Sequence, residues 1–333
     1  MKVLVTGSTG FVGANLVEGL IAAGHTVRAL HRASSRLDAL DGLRYESVVG
    51  DVLDPASLSA AMEGVDWVFH VAAVADYWRQ DGAARLYQVN VEGTRHVLEA
   101  ALSAGVGRVV FTSSAASLGV PTGDNGALLD ESATFNLSPG LAPYGHSKYL
   151  AEALAYEFVA RGLEVVIVNP TVILGPKDLN LISGSLIREV HRRRVPVIPP
   201  GGVNYVDVAD VVAGHIAAAE RGRPGERYIL GAHNLTHRQA LTLIAQVMNA
   251  PLPRWSLHER LVEPLAIGVD LFNRFWPGEP LSDGNQVRLI KYTLFFDDSK
   301  ARRVFKLGPP TPFEVSVERT WRWYLDNGYL TQK

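Results

Sequence analysis

Short valine-rich apolar runs recur along the 333-residue chain at 2–6, 26–31, 45–49, 67–71, 108–113 and 164–169. Between them lie longer stretches, at 13–23, 56–63, 91–104 and 144–161, whose apolar positions return every three or four residues. An unbroken or alternating apolar run marks a strand, and a period near 3.6 marks a helix. The alternation predicts an α/β protein with a doubly wound parallel sheet covered by helices on both faces. Val3-Leu4-Val5 has no polar position at all, as suits a strand buried on both sides.

After about residue 170 the rhythm loosens, and Gly175-Pro176, Pro199-Pro200-Gly201-Gly202 and Pro251-Leu252-Pro253 interrupt it. Residues 1–170 are therefore expected to form a first domain. A helix at 205–219 and a strand at 227–230 would bring 203–231 back to it. Residues 171–202 and 232–333 are left for a smaller, irregular α/β substrate lobe. No linker, repeat or low-complexity tract appears.

Composition narrows the options. Hydrophobic residues make up 47% and charged residues 20%, an ordinary globular balance. With 32 Lys+Arg against 34 Asp+Glu the net charge is −2, which gives no field to hold nucleic acid or an anionic membrane. The absence of cysteine excludes disulfides and thiol chemistry and fits a reducing, cytoplasmic setting. Met1 to Val5 leaves no room for a signal segment, and no apolar stretch reaches the 18 residues of a spanning helix, so no integral membrane association is expected. The ten histidines form no ligand pattern, and no metal is expected.

The first strand runs into Thr6-Gly7-Ser8-Thr9-Gly10-Phe11-Val12-Gly13 and then a helix. Gly7 permits the tight turn, Gly10 lets backbone approach a pyrophosphate, and Gly13 lets helix and strand pack closely. The pattern is expected to be a Rossmann dinucleotide cradle, the other reading being a plain glycine-rich turn between a strand and a helix. An NAD site usually places an acid at the end of the second strand, but here the chain reads Leu30-His31-Arg32, with no carboxylate before Asp38. Arg32 could instead hold a 2′-phosphate, so NADP is expected, with NAD as the alternative. The other reading is that Arg28, Arg32 and Arg36 make a solvated face. Asp51 either caps the next helix or touches the adenine.

The fifth apolar run ends in Ser113-Ser114, at the strand edge where open α/β sheets bind ligands. Tyr144 and Lys148 stand four apart and would share one helix face. A phenol needs a neighbouring cation to exchange its proton near neutral pH, and a serine hydroxyl can hold a carbonyl oxygen as charge builds. The bland alternative is that the serines end a strand and Asn90 caps a helix.

These residues carry a resemblance. With Gly50-Asp51-Val52, His70-Val71-Ala72-Ala73, Asn90-Val91-Glu92-Gly93-Thr94, Tyr144-Gly145-His146-Ser147-Lys148 and Asn204-Tyr205-Val206-Asp207, the chain resembles the extended short-chain dehydrogenase/reductases of the NAD-dependent epimerase/dehydratase family. It is most similar to the branch of dihydroflavonol reductases and 3β-hydroxysteroid dehydrogenases. The resemblance implies Ser114, Tyr144 and Lys148 as catalytic residues, Asp51 and Val52 at the adenine, and His70 and Ala72 along the cofactor. It also implies Asn169 to Val172 beside the nicotinamide, Asn90 supporting the site, and a homodimer.

Arg32, and Val203 where sugar-nucleotide members commonly carry an arginine, point to the reductase branch. The expected function is an NADP-dependent reduction of a ketone or aldehyde on an apolar small molecule. A sugar epimerase or dehydratase with a recycled cofactor is the alternative, and a non-catalytic NADP sensor the third reading. Trp255, Leu257, Leu261, Phe272, Phe275, Trp276, Leu294, Phe295 and Phe296 supply a late apolar inventory. Leu257, Leu261 and Leu265 fall at helical spacing, read as a core-facing stripe or, alternatively, a wall of the substrate pocket.

Overall fold

The apolar runs become β1 (Lys2–Thr6), β2 (Thr26–His31), β3 (Glu46–Val49), β4 (Trp67–His70), β5 (Arg108–Thr112) and β6 (Val165–Pro170). Then follow β7 (Val172–Leu174), β8 (Val197–Ile198), β9 (Gly202–Asp207), β10 (Arg227–Leu230), β11 (His233–Thr236), β12 (Trp255–Ser256) and β13 (Thr293–Leu294). The computed structural model describes residues 1–75, 82–123, 126–179, 181, 184–275 and 283–331. Trp276 lies outside them.

Among the described residues, seven strands form one sheet in the order β10-β6-β5-β4-β1-β2-β3, and each neighbouring pair is parallel. Successive side chains of a strand point to opposite faces, so β1 feeds two cores. Val3 and Val5 pack with Leu16, Leu20 and Val211 from the helices Phe11–Ala22 and Val208–Arg221. Leu4 packs with Leu58, Val97 and Phe158 on the other side. This is the doubly wound sheet that the pattern implies.

The second half is built on a smaller sheet, in which β9 is flanked by β11 and β13 and also pairs with β7. Within 203–231, β9 belongs to this smaller sheet, whereas Val208–Arg221 and β10 belong to the large one. The single helix expected at 205–219 is thus a strand and a helix. Asp207 divides them by capping the helix, its carboxylate accepting from Ala209 N at 2.8 Å.

The helix expected at 91–104 also differs. Gly82–Tyr87, a π turn at Gln88–Glu92 and Gly93–Ser103 run on as one rod. The wider turn contains Asn90, which is fully buried. Such bulges tend to mark functional positions.

Candidate active site

Strand order reverses at β1, and the carboxyl ends of β1 and β4 open the crevice in which such sheets bind ligands. Gly7 has φ +66°, and a Cβ there would lie 2.7 Å from the Ala72 backbone. A Cβ on Gly13 would lie 2.1 Å from the Gly7 carbonyl oxygen. Gly10 opens the helix with no side-chain cap, which leaves the first-turn N–H groups of Phe11, Val12 and Gly13 and the positive helix end for an anion. Thr9 is partly exposed on the same loop, while buried Ser8 donates to the Leu30 carbonyl at 2.8 Å and ties the loop to β2. This cradle fits a dinucleotide pyrophosphate. Gly13→Ala is expected to destabilise the fold by about 1–3 kcal/mol, seen as a lowered Tm, because the clash is with backbone and cannot be relieved by a rotamer.

At the end of β2, Arg32 is exposed and has no ion pair among the described residues. His31 is held by Ser47 Oγ at 2.7 Å from Nε2. The alternative of a solvated arginine face is corrected for Arg28 alone, which is buried, donating to the Glu63 carbonyl at 3.1 Å and pairing with Glu46 at 2.8 Å, whereas Arg32 and Arg36 are exposed. The Arg28 charge is spent inside, while Arg36 pairs with Asp38 at 2.6 Å. The capping reading of Asp51 is also corrected. Asp51 Oδ1 accepts from Leu53 N at 3.0 Å, and the helix Pro55–Ala61 is capped by Asp54, which accepts from Ala56 N at 3.1 Å. Val52 is buried beneath Gly93, where a Cβ would lie 2.9 Å from it.

His70 and Asn90 stand behind the crevice. Ala72 N donates to Thr6 Oγ1 at 3.2 Å, and Thr6 Oγ1 lies 2.8 Å from His70 Nδ1. His70 Nε2 lies 3.0 Å from Thr94 Oγ1, whose proton goes to the Asn90 carbonyl at 2.7 Å. Proton counting therefore assigns the hydrogen to Nε2. Burial, reinforced by the nearby Lys148, lowers the imidazole pKa to about 3, so this chain stays neutral. With no exposed surface and both nitrogens engaged, the His70 ring braces the crevice from behind. The Asn90 amide exchanges bonds with Val74 N and O at 2.8 and 2.9 Å and donates to Ser147 Oγ at 3.0 Å. It fastens the segment after β4 to the Tyr144 helix, so the simple cap reading of Asn90 does not hold.

Ser114 and Tyr144 meet just past the end of β5, and Lys148 reaches Thr112, the last residue of that strand. Ser114 and Tyr144 are both partly exposed, and Gly145 lets the helix Pro143–Ala160 settle on the turn after Ser114. A Cβ on Gly145 would lie 2.5 Å from the Ala116 carbonyl oxygen. Burial pushes the Tyr144 phenol up, against a hydrogen bond from Ser114 that works the other way. A phenol is neutral near pH 7 even without that push, so Tyr144 has a proton to give. Lys148 is buried, donates to the Thr112 carbonyl at 2.8 Å and lies 5.1 Å above the Phe111 ring. Burial presses its ammonium down to about 8, and the charge of Glu152 opposes that drop.

Glu152 escapes the sequence reading. It is 1% exposed, and its Oε1 accepts from Ser113 Oγ, from Ser117 Oγ at 2.6 Å and from Asn169 Nδ2 at 2.6 Å. Its Oε2 pairs with Arg227 at 3.0 Å. Asn169 Nδ2 also reaches the Ser114 carbonyl at 3.1 Å, so one buried carboxylate links the serine turn, β6 and β10. The available signal was a carboxylate four residues beyond Lys148, the third member of one helix face. Asn169 Oδ1 is buried without a hydrogen-bond partner. Past it, Thr171 donates to Asn204 at 2.8 Å and Val172 is partly buried at the start of β7.

The late aromatic inventory is not brought together. Phe296 is buried, but Trp255, Leu261, Leu265, Phe272 and Phe275 are exposed. The core-facing stripe is thus corrected, since Val262 and Ala266 supply the buried side of the helix Val262–Phe275.

The model of the NAD dependent epimerase/dehydratase family matches residues 3–231, well over half of the chain. The chain belongs to that family. It is 38% identical to a putative dihydroflavonol 4-reductase of Synechocystis, over 98% of this chain and 95% of that one. It is 35% identical to sterol demethylase protein B of Methylococcus capsulatus, over 99% and 100%. Its fold matches that of PA4631, a nucleoside-diphosphate-sugar epimerase from Pseudomonas aeruginosa, with TM-score 0.82, 28% identity and 99% coverage of each chain. Family and relatives together make the protein an NAD(P)-dependent oxidoreductase-type enzyme rather than a non-catalytic sensor.

Proposed function

We propose that the protein is an NADP-dependent reductase that acts on a ketone or aldehyde of an apolar small molecule. The observation that supports this reading is the grouping of Ser114 and Tyr144 just past β5, with Lys148 reaching the last residue of that strand. When bound, the nicotinamide supplies the hydride. Ser114 holds the carbonyl oxygen, Tyr144 delivers the proton to it, and the Lys148 ammonium stabilises the phenolate left behind. Gly7, Gly10 and Gly13 would pass the pyrophosphate to the first-turn amides of Phe11, Val12 and Gly13. Arg32 would meet the 2′-phosphate. The name of the Synechocystis relative supports a reductase, and that of the Methylococcus relative supports a lipid-like substrate.

The test is a ketone and aldehyde panel followed by loss of NADPH absorbance, together with titration of NADP and NAD. Arg32→Ala is expected to weaken NADP about 10- to 100-fold and leave NAD unchanged, the scale of one lost charged hydrogen-bond donor. Equal affinity for both cofactors in the unaltered protein would overturn the role given to Arg32. The similarity to PA4631 favours a second reading, a sugar epimerase. Turnover of a sugar nucleotide without added NADPH would establish that reading in place of the first.

A further inference from the structure

His215 is a buried titratable group outside the cluster of Ser114, Tyr144 and Lys148. It has no exposed surface and lies with Val211, Val212 and Ala218 on the buried face of the helix Val208–Arg221, against β5 and β6. A polar ring in such surroundings costs free energy unless both of its nitrogens find partners. Here both do. Nδ1 lies 2.7 Å from the Val211 carbonyl, which can only accept, so the ring proton belongs to Nδ1. Nε2 is left as an acceptor, and the Thr112 hydroxyl, 2.9 Å away, donates to it. Burial lowers the imidazole pKa to about 4, so the ring stays neutral and able to accept near pH 7.

Thr112 ends β5, and its carbonyl takes the Lys148 ammonium at 2.8 Å. We propose that His215 is a positioning residue: acting through Thr112 from the far face of the sheet, it fixes the carbonyl that holds Lys148 in place. Successive side chains of a strand point to opposite faces. Thr112 therefore reaches the helix Val208–Arg221, while Ser113 reaches Glu152 on the helix Pro143–Ala160. Ser113 N also donates to the Val168 carbonyl of β6 at 2.8 Å. The peptide unit between Thr112 and Ser113 is thereby pinned from both faces and from the neighbouring strand, and its oxygen is the Lys148 acceptor. An ammonium bonded to a fixed carbonyl holds its proton more firmly. It also keeps one place relative to Tyr144, four residues away on the same helix. The other titratable groups around Lys148 are Tyr144 and Glu152 on its own helix and neutral His70 on β4. An apolar side chain at position 215 would fill the core equally well, but it would leave the Thr112 hydroxyl unheld.

The role of this clamp rests on the one proposed for Lys148, but a titration reads it without any substrate. With lysine Cε isotope-labelled in the full-length protein, the NMR signal lost in Lys148→Met is that of Lys148, and its midpoint follows the ammonium. His215→Asn keeps a donor for the Val211 carbonyl but is too short to reach Thr112, and it should move the midpoint down by about half a pH unit or more. Thr112→Val removes the same bond from its other end and should do likewise. His215→Gln sets an amide oxygen where Nε2 stands and should keep the midpoint within about 0.2 of wild type. The alkaline limb of kcat/KM for a ketone that is turned over should move with the midpoint. A midpoint unmoved by both His215→Asn and Thr112→Val, whatever their Tm, overturns the proposal and leaves His215 a core residue. Equal shifts in His215→Asn and His215→Gln overturn it too, because the bond to Thr112 would then not be what matters. Failure of every ketone in the panel would sink the reductase reading alone, since the midpoint does not depend on turnover.

Discussion

Tyr144→Phe is expected to lower kcat by about 10²- to 10⁴-fold while NADPH affinity changes by less than about threefold. The size is that of one lost general acid. The split between turnover and binding follows from the geometry, since the hydroxyl lies toward Ser114 while the glycine cradle is built on β1 and the helix after it. Stopped-flow reduction of the best ketone, with NADPH binding by fluorescence, reads both quantities. Retained turnover would remove Tyr144 from the mechanism. Loss of cofactor binding would make it a structural residue.

Glu152→Ala should cost about 3–5 kcal/mol, lowering Tm by roughly 10 °C, because it leaves the largely buried Arg227 guanidinium without its carboxylate. The same change strips a shared acceptor from Ser113, Ser117 and Asn169. Glu152→Gln keeps the shape and isolates the charge. Because Glu152 opposes the burial that lowers the Lys148 pKa to about 8, removing its charge should let that pKa fall further. The lysine would then lose its proton at lower pH, and the alkaline limb of the kcat/KM profile should move to lower pH. A purely structural Glu152 would lower Tm without moving that limb.

Most of the fold and the outline of the site could be read in the chain. β1 and β2 fall on the residues that the apolar runs mark, because a strand buried on both faces needs an unbroken apolar run. The glycine cradle was equally legible, since its chemistry lies within eight consecutive residues. Asp207 shows where such reading weakens. Valine-rich sequence continues on both sides of it, so one apolar pattern spans a strand and a helix, and a single capping carboxylate marks the boundary.

The residues that brace the site were hidden for a related reason. His70 depends on Thr6 and Thr94, and Glu152 depends on Asn169 and Arg227, partners separated from them by 17 to 75 residues. No spacing rule reaches so far. The helix Val262–Phe275 was misread because its periodicity states that one face is apolar and leaves open which way that face turns.

The sequence by itself determined the doubly wound sheet and the glycine-rich turn after β1, because each is written in local periodicity or in a contiguous motif. Tertiary structure alone decided that Arg28 is spent in the core while Arg32 stays exposed, and that one buried carboxylate ties the serine turn to β10. Those outcomes depend on which charges meet once distant segments pack, and burial makes an unpaired charge too costly to leave.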